Sequence, residues 1–194
     1  MPGIALIWVV FSTSSPVASV ALFVDGKAQI QSEPTDRNAS GTSIRLLDSL
    51  LAEAGLSLSD VSAFGADVGP GSFTGVKVGV TLAKTFAYVH GKPCAGFSSF
   101  DLISPAKDVA IPCRKDLYLY RSVQNKEPIL TASDDLQLGE CVGYGKAFDK
   151  PQYPDTGKAP ISAAVLVKPE ELVPNYVLEP SISTPKKPYR QVLE

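Results

Sequence analysis

Between Asp67 and Val80 the chain reads Asp-Val-Gly-Pro-Gly-Ser-Phe-Thr-Gly-Val-Lys-Val-Gly-Val, four glycines and a proline in fourteen residues. A short apolar run, Val61 to Ala66, leads into it, and a helix-like pattern ending near His90-Gly91 follows. The chain therefore turns here from strand to helix, where ligand loops and tight packing corners are both found. Gly69 and Gly71 permit backbone angles other residues avoid, Pro70 stiffens the turn, and Ser72 or Thr74 is placed to cap the helix. Gly75 is followed by Val76-Lys77 and not by Lys then Ser or Thr, so this is no P-loop, and a phosphate would rest on backbone amides alone. An anion cradle and a purely structural corner both remain open.

The helix that follows narrows the choice. Gly71, Gly75, Gly79, Ala83 and Ala87 recur every four residues. They form a ridge of small side chains that allows close approach of another helix. Val78, Leu82, Phe86 and Val89 form a bulky face suited to a sheet, which leaves the polar residues a narrow strip. An earlier helix, from about Ser43 to Ala54 and stopped by Gly55, carries Ile44, Leu46, Leu47, Leu50, Leu51 and Ala54. These cover an arc of roughly 160°, wider than the ~100° that one-sided burial requires. Either this helix covers the small ridge within one domain, or the two helices offer a joint apolar surface to a second protein.

Around these helices the remaining elements fall in order. Ile4 to Phe11 and Val17 to Val24 are β-rich runs joined by Ser12-Thr-Ser-Ser-Pro16, and Asp25-Gly26 makes a hairpin into Lys27 to Gln31. The first run has no preceding Lys or Arg and no cleavable stretch after it, and it is too short for a bilayer, so it reads as a buried strand. A polar segment, Ser32 to Thr42, precedes the first helix. A short strand around Pro93 to Gly96 follows the second, and Ser98 or Ser99 opens another short helix. Three antiparallel strands followed by alternating helices and strands describe an α/β, ribonuclease-H-like or actin-like half-domain. The pattern restarts with Val109 to Cys113 and Leu117 to Val123. Eight of the sixteen prolines lie in the last 44 residues, so only a helical turn near Ser162 to Val167 is expected there, followed by an extended tail. The implied division is 1–106, 107–178 and a tail of 179–194.

Composition excludes several classes of function. With 18 basic and 20 acidic residues the net charge is -2, which gives the chain no electrostatic grip of its own on nucleic acid or an anionic membrane. One histidine, His90 at a helix end, suits a cap better than a catalytic base or a metal site. Cys94, Cys113 and Cys141 are few and widely spaced, which points to a reducing cytoplasm without a disulfide framework or zinc cluster. No Asp or Glu occurs from Met1 to Val24, so the Ser12–Ser15 turn has no metal carboxylate of its own, although an acid elsewhere in the chain is open as a substitute.

With these residues assembled, the chain resembles the TsaB (YeaZ) family. The resemblance rests on Ser12-Thr-Ser-Ser-Pro-Val-Ala-Ser-Val-Ala-Leu22, on Leu46 to Asp60, and above all on Val68-Gly-Pro-Gly-Ser-Phe-Thr-Gly-Val-Lys-Val-Gly79. Ser98-Ser-Phe and Val109 to Asp116 are similar to its domain junction and next strand, and Pro160 to Ala164 and Glu170 to Tyr176 to its final elements. The resemblance implies an actin-like (ASKHA) fold of two related lobes, the second one reduced in this chain. It also implies a protein without catalysis or cofactor that serves as scaffold for TsaD in making threonylcarbamoyladenosine in transfer RNA. TsaE would join as the ATPase, the chain would dimerise when alone, transfer RNA would be met only through the complex, and no membrane would be involved. The family's homodimer and heterodimer contacts fall on the two helices above, which makes Leu47, Leu51, Gly71, Gly75, Gly79, Ala83 and Ala87 the candidate interface. No catalytic, cofactor or metal residue is carried over. The alternative is an actin-like ATPase, a kinase or a peptidase-like enzyme. The chain departs from the family at Ser12, where an Asp is usual, and at Ala39-Ser-Gly-Thr-Ser43, where His-Ser-Glu is common.

Overall fold

β1 (Ile7–Ser12), β2 (Val17–Val24) and β3 (Lys27–Pro34) follow one another as an antiparallel meander in the computed structural model, which describes residues 6–177. The turn between β2 and β3 is the predicted Asp25-Gly26 hairpin, with φ of 50° and 79° at its two central residues. β4 (Ala63–Gly69) and β5 (Cys94–Ser98) add in parallel beside β1, so the sheet runs β3-β2-β1-β4-β5. α1 (Ala39–Ala54) carries the chain from β3 to β4 and α2 (Phe73–His90) carries it from β4 to β5. This is the ribonuclease-H-like half-domain that the element order predicts.

Alternation along β1 builds two cores, because successive side chains point to opposite faces. Ile7, Val9 and Phe11 point toward α1 and α2, where they meet Leu46, Leu47, Leu50, Val80 and Ala83. Phe86 of α2 stacks on both Phe11 and Phe64, with ring centroids 5.9 and 5.8 Å apart. Each such buried aromatic stabilises the layer by about 1.5–3 kcal/mol. Trp8 and Val10 point the other way and pack with Ala21, Phe23, Phe97 and Leu102.

The second sheet contains β6 (Asp108–Arg114), β7 (Leu117–Arg121), β8 (Ile129–Ala132) and β9 (Cys141–Gly143) in the order β8-β7-β6-β9. β6 and β7, like β7 and β8, are antiparallel, whereas β6 and β9 are parallel. That repeats the order and directions of the first four strands of the first sheet. Where the first sheet has α1, the second has only the 3-10 turn Ser133–Asp135, so the repeat is reduced. α3 (Ser99–Ile103) stands at the junction.

Several expectations need correction. α1 begins at Ala39, four residues before the predicted start at Ser43, and β3 extends to Pro34. Ser40, Gly41 and Thr42 are weak helix formers, but the Asn38 side chain accepts a hydrogen bond from the Gly41 amide at 3.2 Å and starts the helix upstream of them. The proline-rich stretch also differs. Residues 155–175, assigned from the sequence to the second lobe, return to the first. Ala159, Ile161 and Ala164 cover the Trp8 face, Val167 exchanges backbone hydrogen bonds with Cys94, and Leu172 enters the α1–α2 core. Prolines forbid a helix there but not an extended strap with 3-10 turns at Thr156–Lys158, Ile161–Ala163 and Pro169–Glu171. The predicted tail, 179–194, lies outside the described residues.

Candidate functional site

The glycine corner sits where β4 ends. Gly69 has a φ of +103°, a conformation that L side chains rarely adopt, and the Ser72 hydroxyl caps α2 by accepting from the Gly75 amide at 3.3 Å. The glycines of the small ridge have a different partner from either one weighed in the sequence. A Cβ added at Gly75 would lie 1.9 Å from the Thr13 carbonyl oxygen, one at Gly71 would lie 2.4 Å from that of Ser14, and one at Gly79 would lie 3.0 Å from the Thr13 hydroxyl. The Thr13 hydroxyl donates to the Gly75 carbonyl at 2.6 Å and the Ser72 amide donates to the Ser14 carbonyl at 2.7 Å. The glycines therefore let α2 lie directly on the β1–β2 turn.

The predicted interface residues consequently face inward. Ala83, Ala87, Leu47 and Leu51 are buried in the core between the helices and the sheet, Gly75 and Gly79 are buried against the turn, and Gly71 is half-buried. Of the bulky row assigned to the sheet, Phe86 does meet it, Val78 and Leu82 are half-buried, and Val89 is 69 % exposed. The outward side of the helix pair carries Ile44 and Arg45 on α1 and Thr81, Thr85, Tyr88 and Val89 on α2. Ile44, 40 % exposed, is the part of the wide apolar arc of α1 that this chain leaves uncovered.

Below the corner lies a group that sequence reasoning missed. Asp67 of β4 is fully enclosed, and its two oxygens accept four hydrogen bonds. Ser12 and Ser14 donate to Oδ2 at 2.7 and 2.6 Å, while Ser99 and the Gly69 amide donate to Oδ1 at 2.5 and 2.9 Å. The β1–β4 pairing, which places Phe11 opposite Ala66, carries on to set Ser12 beside Asp67. The acid absent from the first strand is thus supplied by its parallel neighbour, a relation that becomes visible only once the register is known. Burial pushes the Asp67 pKa up, and the hydroxyls of Ser12, Ser14 and Ser99 with the Gly69 amide offset this only in part. Tyr144, also buried, is pushed well above the ordinary tyrosine range by burial first and by the Asp67 charge second.

A carboxyl whose folded-state pKa is raised contributes its stability below the unfolded value and loses it as pH rises through the folded value. Asparagine can replace it with little strain, since its amide nitrogen can donate to Ser12 and Ser14 once those hydroxyls rotate. We expect the native chain to lose stability relative to Asp67→Asn as pH rises above about 4. Thermal unfolding of both proteins across a pH series measures this, and a constant difference would refute it.

Between the two sheets lies a cleft of about 600 Å³, with Ser14, Ser72, Phe73, Arg114, Tyr144 and Tyr176 among its walls. The Lys77 ammonium, the one cation of the glycine stretch, sits over the Phe73 ring at 4.0 Å. His90 stacks against Phe64 at the end of α2, and Gly91, with φ of 62°, forms the cap. Among the described residues no three His, Cys, Asp or Glu side chains come together as a metal site, and Cys94, Cys113 and Cys141 are free thiols.

Comparison with known proteins adds to this geometry. Residues 30–157 match the family model for TsaD, tRNA N6-adenosine threonylcarbamoyltransferase. The tRNA threonylcarbamoyladenosine biosynthesis protein TsaB of Haemophilus influenzae is 34% identical over 94 residues, 48% of this chain and 40% of that protein. TsaB of Escherichia coli is 33% identical over 87 residues, 45% of this chain and 38% of that protein. The chain thus spans about two fifths of the length of these curated relatives. A solved Pseudomonas aeruginosa structure, described as an uncharacterized protein with similarity to peptidase YeaZ, superposes with a TM-score of 0.75 at 20% identity. That superposition covers 89% of this chain and all of the other. The corner that seats α2 on the serine turn, the repeated sheet order and these matches together make the chain a member of the TsaB (YeaZ) family, within the wider TsaD family.

Proposed function

We propose that this chain is a non-catalytic scaffold in tRNA threonylcarbamoyladenosine synthesis, which binds and activates a TsaD-like transferase. The observation that carries the reading is the state of Asp67. The one carboxylate at the serine turn is sealed from solvent with all its acceptor positions filled from within the chain, which suits a structural role and leaves it no face for a substrate. In this reading the chain supplies shape rather than chemistry. The partner surface is the outward side of α1 and α2, with Leu47, Leu51, Gly71, Gly75, Gly79, Ala83 and Ala87 holding the pair in position from beneath. The same surface serves a homodimer when the chain is alone, and a TsaE-like ATPase joins through the complex.

Several further features are compatible with this reading. A net charge of -2 suits a subunit that meets transfer RNA only through its partners. Among the described residues no helix is long and apolar enough to cross a membrane, and we place the activity in the cytoplasm. The lobes divide near residue 106, with the strap returned to the first lobe.

Reconstitution tests the proposal. The chain is added to purified TsaD-like and TsaE-like proteins with threonylcarbamoyl-adenylate and transfer RNA, and modified adenosine is measured. We expect synthesis to depend on the chain. Synthesis at the same rate without it would remove the scaffold reading. Turnover of ATP or of a peptide by the isolated chain would replace it with an enzyme.

A further inference from the structure

Asp67 gathers more than a turn. Its hydrogen bonds reach the end of β1 through Ser12, the β1–β2 turn through Ser14 and the first residue of α3 through Ser99. Two of these three points are also where the second lobe is tied on. The Ser14 carbonyl accepts from the Tyr144 hydroxyl, just beyond β9, at 3.4 Å, and it accepts from the Ser72 amide as well. α3 carries Asp101, which pairs with the nearly buried Arg121 of β7 at 2.6 Å. Arg121 also lies over the Phe100 ring and donates to the Ser104 carbonyl at 3.3 Å. One side chain therefore anchors two separate ties between the lobes, at the floor of the cleft.

We propose that Asp67, with Ser14 and Ser99, is a latch that holds the two lobes together and sets the width of the cleft between them. The cluster is arranged for this role. Ser14 and Ser99 sit side by side at the carboxylate, one bonded to each oxygen, with their hydroxyls 3.3 Å apart. The acid thus clamps the turn to α3, and α3 with Tyr144 closes on the second sheet through Phe100, Ile103, Val109, Ile111 and Leu119. When the clamp is released, each tie keeps its local partner but loses its common footing. The expected consequence is opening at the junction rather than unfolding of either sheet, since the β1–β2–β3 meander and its core make no use of the cluster beyond Ser12.

The test uses native-state hydrogen exchange on the isolated chain, so it does not depend on the proposed partner. Asp67→Ala is expected to speed exchange about tenfold at the Ser72, Ser104 and Asp155 amides, which bond to the Ser14, Phe100 and Leu102 carbonyls and so report on the turn and on α3, the footings of the two ties, and to leave Val20 to Leu22 in β2 unchanged. Asp67→Asn, which can remake the four hydrogen bonds, is expected to exchange like the native chain. Two milder variants separate the arms if Asp67→Ala does not fold. Ser99→Ala should speed Ser104 and Asp155 but not Ser72, and Ser14→Ala should speed Ser72 but not Ser104. Equal acceleration throughout the chain, acceleration in β2 alone, or no difference between the two serine variants would overturn the latch.

Discussion

Replacing Gly75 by alanine is expected to lower the stability of the fold by about 3 kcal/mol, the upper end of the usual cost of overpacking. In an exposed helix the same change would stabilise by roughly 1 kcal/mol, because alanine is the better helix former. The sign reverses here because the added methyl would stand 1.9 Å from the Thr13 carbonyl oxygen, and that oxygen belongs to backbone held on both sides. To make room, α2 has to retreat from the turn by well over an ångström. The Thr13–Gly75 and Ser72–Ser14 hydrogen bonds, at 2.6 and 2.7 Å, then lengthen together. Urea denaturation of Gly75→Ala beside Thr85→Ala, an exposed position on the same helix, measures the effect against propensity alone. A Gly75→Ala protein as stable as the native one would mean that the helix does not rest on the turn. A bulky residue at Gly75 would confound any binding assay, since it disturbs the fold before it reaches a partner.

The second large effect concerns partner binding. Ile44→Asp combined with Val89→Asp is expected to weaken binding to a TsaD-like partner by about 2 kcal/mol or more, roughly thirtyfold or beyond, because each substitution forces an unpaired charge into a desolvated contact. Both side chains are exposed in the single chain, at 40 and 69 %, so stability should change by no more than about 0.5 kcal/mol per site. The two quantities separate cleanly. Calorimetric titration gives the affinity, thermal unfolding gives the stability, and sedimentation of the chain alone shows whether the homodimer weakens in parallel. Affinity unchanged to within twofold, with the fold intact, would place the partner surface elsewhere.

Much of the first lobe was legible in the residues. Periodicity, the Asp25-Gly26 hairpin and the glycine caps at Gly55 and Gly91 are local features, and local chemistry decides them. The start of α1 was less legible, because one capping residue, Asn38, outweighs three weak helix formers after it. The proline-rich stretch was read correctly as poor in helix, but nothing in it announced that Cys94 would pair with Val167 or that Ala159 would cover the Trp8 face. Such contacts span about seventy residues or more of chain, and no periodicity encodes them.

The glycine stretch shows the same boundary at a single site. From the sequence alone come the strand-to-helix corner, the absence of a P-loop lysine, the ridge of small residues and the family resemblance. Each depends on residue type and short spacing. What covers the ridge, and where the missing carboxylate went, depend on the pairing of β1 with β4. That pairing sets Thr13 under Gly75 and Ser12 beside Asp67. Strand register is fixed by the packing of whole faces rather than by neighbours along the chain, so only the tertiary structure could turn an interface ridge into an internal seat and a serine turn into an acid-centred junction.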